Sequence, residues 1–352
     1  MKDQLTQNNI ENKIKQQSCL GSSPPNIDIL LPLVQTRSIM AAVKLGIFET
    51  IGSGKLSLDQ LSTELSLDKD TLERMLYVLV CAGFLTNNND TYELNTISKR
   101  SFLRESPDNL IGFVEYSYVR WHLLDHLEDV LKTGAVFENH ECLKTSEDWS
   151  SYQKAMFHYS KHIAQQIALL VPVKEHPKKL LDIGGGHGHY GAMICQKHPP
   201  MKSTVIDLPQ AIESSKQIAI EEGFNDVVDF CPGDALTVEF DNNYDVVFIA
   251  NLMHYFSPDQ NLCLLEKVKK ALKNKGTLAI LCKGSIQLYK GSMNKGQNLL
   301  KANRLLLSRI NVGERKYQLN EYKTWLESSG FTNMNVHKIG HGKIVLTAYK
   351  QN

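Results

Sequence analysis

The segment Leu181-Asp182-Ile183-Gly184-Gly185-Gly186-His187-Gly188 leaves an apolar run and enters a helix-forming one. Glycines let a chain turn tightly there, and they let a ligand lie against bare backbone at a helix N-terminus. About twenty residues further on, a second apolar run ends in Val205-Ile206-Asp207. A carboxylate in that position accepts both hydroxyls of a ribose. A third run is followed by Gly233-Asp234, which offers a polar group near an adenine. An adenosine-containing cofactor fits this order.

Two cofactors fit the glycine loop. Gly186-His187-Gly188-His189-Tyr190-Gly191 satisfies the dinucleotide pattern G-x-G-x-x-G, which would make the chain a dehydrogenase. Three features favour S-adenosylmethionine and methyl transfer instead. Asp182 stands two residues before the first glycine, where a carboxylate orders the loop and the amino-acid end of the ligand. The loop opens with three consecutive glycines. Gly233-Asp234 supplies the adenine-side group.

A sulfonium methyl is already electrophilic, so aligning the acceptor and excluding water supply much of the catalysis. A hydroxyl acceptor also gains from a base. His254 follows the fourth apolar run, at the sheet edge where α/β sites open. Histidine, titrating near ~6.5, is suited to that work. The pairs His122/His126 and His158/His162 each share a helical face, but neither has an intervening Glu, and no metal site is expected.

Strands and helices alternate after Pro177, as in a parallel sheet. The strands expected are 179–183, 204–207, 227–231, 245–250 and 277–281, with a late pair at 333–339 and 343–349. Before Pro172 the chain is helical from about Ile111. Between Ile27 and Leu103 short helices precede a hairpin. Helix 32–45 stops at Gly46, Ser57 and Gln60 form a capping box, Asp68 caps the next helix, and Gly83 ends it. That is the winged-helix order. The resulting domains are a disordered tail over 1–25, a winged-helix domain over 26–105, a helical linker over 106–175, which the resemblance named below makes pocket-lining, and a cofactor domain over 176–352.

The 352 residues exceed what one core ordinarily covers. Their formal charge of +1 gives no global field for nucleic acid or anionic membrane. The polar start carries no secretory signal, and no apolar run is long enough to span a bilayer. Seven scattered cysteines without a CxxC pair suggest reduced thiols and a cytoplasmic setting. The second winged-helix helix mixes Asp68, Asp70 and Glu73 with Lys69 and Arg74, and the wing tip 87–90 has no cation. A DNA reader needs a basic face, so dimerisation is favoured over a cofactor-sensing regulator.

Together these stretches resemble the small-molecule O-methyltransferases with an N-terminal winged-helix dimerisation domain, the caffeic acid and hydroxyindole type, with the bacterial branch closer. The resemblance runs from Ile27 to Lys350 and includes Leu252-Met253-His254, Gly313-Glu314-Arg315 and Ser329-Gly330-Phe331. It implies an α/β, Rossmann-like methyltransferase domain, mostly parallel with an antiparallel final strand, preceded by an α-helical winged-helix dimerisation domain. It implies S-adenosyl-L-methionine as cofactor, a small, partly aromatic hydroxyl acceptor, and a homodimer whose N-terminal domain roofs the pocket. Gly184, Gly186 and Gly188, with Asp182, would lie at the methionine part. Asp207, followed by Leu208, would hold the ribose, and Asp234 and Ala235 would flank the adenine. His254 would be the base, oriented by Glu314, and Trp121, His122, Met156 and His158 would touch the acceptor.

Two positions depart from the family. Ala250 stands where a Lys is common, four residues before the histidine. Cys282 replaces the first of two acids that orient it. A thiol cannot partner imidazolium as a carboxylate does unless its pKa falls well below ~8.5. N- or C-methylation, or a non-methylating relative, therefore remains open beside O-methylation.

Overall fold

The computed structural model describes residues 25–135, 140–283, 302–303, 305–310, 315, 317–339 and 343–351, with side chains from residue 30. The chain divides into two compact units, Met1–Asn109 and Leu110–Asn352. The helical stretch after Leu110 thus belongs to the same unit as the cofactor domain.

The first unit opens with the helix Pro25–Lys44. Proline is favoured in a first helical turn because it has no N–H to leave unpaired. The helix accordingly starts at Pro25 and carries Pro32 inside it, where the sequence suggested a start at Pro32. Helices Ile47–Ile51, Leu58–Leu65 and Lys69–Cys81 follow. The middle one has its Ser57–Gln60 capping box, and Asp68 Oδ1 accepts from the Thr71 N–H at 2.8 Å to cap the last. Strands β1 (Leu56–Ser57), β2 (Leu85–Asn88) and β3 (Thr91–Leu94) form a sheet of order β1-β3-β2. The helix–helix–hairpin order expected from the sequence is present.

The second unit is built on seven strands: β4 (Lys179–Ile183), β5 (Lys202–Asp207), β6 (Val228–Pro232), β7 (Tyr244–Ala250), β8 (Leu272–Lys283), β9 (Phe331–Ile339) and β10 (Lys343–Lys350). Their order is β6-β5-β4-β7-β8-β10-β9. The first five are parallel, and β10 runs antiparallel to both β8 and β9. The central strands are near-continuous apolar runs because both faces are covered. Leu181, Ile183, Val247, Ile249, Leu278 and Ile280 meet one set of helices, including Leu264, Leu265, Trp325 and Leu326. Their alternating neighbours Leu180, Val246, Phe248, Ala279 and Leu281 meet Ile163, Ile167, Tyr190 and Ile194. The order reverses beside β4, between β5 on one side and β7 on the other, and a ligand crevice opens at that point in such sheets. The glycine loop, Asp207, Gly233-Asp234 and His254 all follow the carboxyl ends of these parallel strands.

Candidate active site

The glycine loop joins β4 to the helix His189–Lys197. The Gly184 N–H donates to the Ile206 carbonyl at 2.8 Å, which seats the loop against β5. Asp182 is wholly buried beneath it. A Cβ at Gly185 would lie 2.5 Å from the Asp182 carboxyl carbon, and one at Gly191 would lie 3.0 Å from Oδ2. Both glycines therefore make room for the acid. Burial pushes the Asp182 carboxyl up to about 7, against the pull of the Gly191 N–H. Its position supports the loop from below.

Gly186 has φ +52°, the left-handed region that favours glycine. That turn aims its N–H at Asp207 Oδ2, 2.7 Å away, while the Leu208 N–H donates to Oδ1 at 2.7 Å. Each carboxylate oxygen keeps a further lone pair, as a vicinal diol requires. Burial raises the Asp207 carboxyl to about 6, opposed by those two N–H groups. The Gly233 N–H donates to the Asp207 main-chain carbonyl at 2.8 Å, tying the loop after β6 to the same strand end. There Asp234 Oδ1 accepts from the Leu236 N–H at 2.8 Å, and Ala235 is buried. Lys267, from the helix Pro258–Ala271, donates to the Ala235 carbonyl at 2.9 Å and the Val238 carbonyl at 2.6 Å. These residues fit an adenosyl ligand: a carboxylate with free lone pairs, bare loop backbone, and a fastened adenine-side turn.

His254 lies on a short 3₁₀ turn, Met253–Tyr255, just beyond β7. The turn is held at successive carbonyls. Asn261 Nδ2 donates to Met253 O at 3.0 Å, the Arg315 N–H to His254 O at 3.0 Å, Arg315 Nη1 to Tyr255 O at 2.6 Å, and the Tyr317 hydroxyl to Phe256 O at 2.7 Å. The Tyr255 ring meets the His254 ring edge-on, centroids 4.2 Å apart. Glu314 and Gly313 lie outside the described residues. Cys282 is buried near the end of β8, and burial pushes its thiol up to about 12 although Tyr322 hydrogen-bonds to it. It is a neutral group there.

The four acceptor-side expectations separate. Met156 packs among Tyr116, Val119, Trp149 and Leu208. Trp121 is half-buried on the helix Ile111–Leu124. His122 is instead 77% exposed and pairs with Asp125 at 3.4 Å. His158 belongs to a histidine group around the loop, beside His187 and Lys161, and burial lowers it to about 4. A main-chain carbonyl at Met156 accepts from buried His187, and the His187 Nδ1 accepts from the His189 N–H at 3.1 Å.

The sequence reading missed several residues. His140 lies with its ring centroid 5.7 Å from Trp149, 4.8 Å from Tyr152 and 5.5 Å from Tyr255. The Tyr152 hydroxyl is pushed well above the usual phenol range by burial, with Tyr255, Tyr116 and Asp207 nearby. These rings form an aromatic wall running from Asp207 toward His254. Only Tyr255, adjacent to His254 in sequence, carried a signal of this. Gln153 and Lys267 carried none, because their partners are remote in the chain.

Residues 131–332 match the model of the O-methyltransferase domain, and residues 27–104 that of the O-methyltransferase dimerisation domain. The 3-hydroxy-5-methyl-1-naphthoate 3-O-methyltransferase of Streptomyces sahachiroi is 22% identical over 315 residues, 86% of this chain and 88% of its own. The L-tyrosine C(3)-methyltransferase of Streptomyces lavendulae is 25% identical over 256 residues, 68% of this chain and 69% of its own. The solved structure of human N-acetylserotonin methyltransferase in complex with S-adenosylmethionine superposes with a TM-score of 0.74 at 19% identity, over 94% of this chain and 99% of that one.

Proposed function

The chain belongs to the O-methyltransferase family and is an S-adenosylmethionine-dependent methyltransferase, and from that premise we propose that it methylates a hydroxyl of a small, partly aromatic molecule with His254 as general base. The observation that carries this reading is the clamped turn beyond β7. It holds the His254 main chain through Arg315 and sets the ring beside Tyr255, at the same sheet edge as Asp207. When bound, the cofactor supplies an activated methyl on a positively charged sulfur. The chain's residues do the rest. Asp207 and Leu208 would hold the ribose, Asp234 and Ala235 the adenine, and Gly184, Gly186 and Gly188, with Asp182, the methionine part. The wall of His140, Trp149, Tyr152 and Tyr255 gives a flat acceptor a surface to stack on. His254 accepts the proton that the acceptor hydroxyl gives up and returns it to solvent. Glu314, the neighbour of Arg315, steadies the imidazole.

The neutral Cys282 favours a second reading, in which the acceptor is a nitrogen or carbon nucleophile that needs no base. Labelled methyl transfer to matched phenol, aniline and electron-rich arene acceptors separates the two. Label on phenols supports O-methylation, and label confined to amines or ring carbons contradicts it.

The domain reading assigns 26–105 to dimer packing and 106–175 to the acceptor side of the catalytic unit. Leu30, Leu31, Leu33 and Val34 are exposed on the first helix, and a second copy would cover them. Light scattering should give a dimer at micromolar concentration, and a monomer would contradict this. Among the described residues no helix is long and apolar enough to cross a membrane.

A further inference from the structure

Gln153 stands on the helix Ser146–Lys161 and is only 2% exposed. Its Oε1 is buried with no hydrogen-bond partner among the described residues. A buried amide without a partner is costly, so such a group is commonly completed by a water or a ligand. Its surroundings narrow the choice. A Cβ at Gly186 would lie 2.9 Å from Gln153 Oε1 and 3.5 Å from Nε2. The same glycine gives its N–H to Asp207. Gly186 therefore lies between two polar groups: the carboxylate suited to a ribose, and this amide. A side chain larger than hydrogen at residue 186 would press on the amide, so the glycine keeps that approach open.

We propose that the Gln153 amide binds the α-amino acid end of S-adenosylmethionine, Oε1 accepting from its ammonium and Nε2 donating to its carboxylate. The proposal rests on the reading that the methionine part follows the Gly184–Gly188 loop. An amide suits a zwitterion because it carries both an acceptor and donors and no net charge. The residue would thereby separate the full cofactor and its homocysteine product from nucleosides that lack the amino acid.

Calorimetry with two ligands tests this without any acceptor. S-adenosylhomocysteine carries the amino acid, whereas 5′-methylthioadenosine keeps the adenosine and sulfur without it. Gln153→Leu should weaken S-adenosylhomocysteine about ten- to a hundredfold, the usual scale for hydrogen bonds to charged groups. Its affinity for methylthioadenosine should match that of wild type. Gln153→Met, similar in length and unable to hydrogen-bond, should repeat the result should the leucine variant not fold. Equal weakening of both ligands would overturn the proposal and make the amide a loop support. An unchanged affinity for S-adenosylhomocysteine would overturn it too. In both cases the cofactor reading would stand. Failure of wild type to bind S-adenosylhomocysteine would instead contradict the loop reading, and this proposal with it.

Discussion

The Arg315 N–H donates to the main-chain carbonyl of His254 at 3.0 Å, joining two segments that are far apart in sequence. The Arg315 side chain grips the next carbonyl, that of Tyr255, at 2.6 Å. The proposed base stands on a three-residue turn with little helix to steady it, so these bonds fix where its main chain sits.

Removing the grip should cost turnover and spare cofactor binding. Arg315→Ala should lower kcat about ten- to a hundredfold through misplacement of the base. The dissociation constant of S-adenosylhomocysteine should stay within twofold of wild type, since Asp207 and the glycine loop lie on other strand ends. Equal losses in both would mean that Arg315 supports the whole site.

Asp207 organises the loop, and in the proposed reading it also holds the ribose. Asp207→Ala removes the acceptor for the Gly186 and Leu208 N–H groups together with the proposed diol contact. Its affinity for S-adenosylhomocysteine should fall about a hundredfold or more, the scale of losing charge-assisted hydrogen bonds. A calorimetric change under threefold would contradict the assignment.

Stability should fall with acid. Burial lowers His187 to about 3 and His140, His158 and His189 to about 4. Unfolded, each would bind a proton near ~6.5. Their stabilising effect is therefore present above that pH and is lost as pH falls toward 4. Asp182 at about 7 and Asp207 at about 6 act oppositely, because a raised carboxyl binds its proton more readily when folded. Four histidines outweigh two carboxyls, so Tm should drop between pH 7 and pH 5. His187→Gln should flatten that slope. A Tm that rises over the interval would contradict the balance.

Much of this was legible beforehand. Strand β4 begins and ends where the apolar run does, and its glycine loop, Asp207 and His254 fall at one sheet edge as their order implied. Local patterns carry such features, since a strand's period and a cap's residue types are written in neighbouring positions. The clamp of Lys267 on the Ala235 carbonyl and the aromatic wall around His140 were not legible. Both depend on partners that only the folded sheet brings together. The face that His122 and His126 were expected to share is not formed, because the first helix ends at Leu124 and His126 caps the next one; a spacing of four does not say where a helix stops.

Cys282 should be a bystander in proton transfer. A thiol held near 12 stays protonated at neutral pH and cannot balance an imidazolium. Cys282→Ser keeps a group that Tyr322 can bond, and its kcat should lie within about threefold of wild type because no ionised thiolate is lost. A loss above tenfold in a normally folded variant would give the thiol a role in the chemistry.

The most direct test of the central claim is turnover against pH for wild type and His254→Ala with a phenolic acceptor. A positioned base contributes about 10²–10⁴ in rate. The account predicts a loss of that size, removal of the histidine limb from the pH profile, and an almost unchanged affinity for S-adenosylhomocysteine. A His254→Ala enzyme within a few-fold of wild type, with the limb still present, would contradict it.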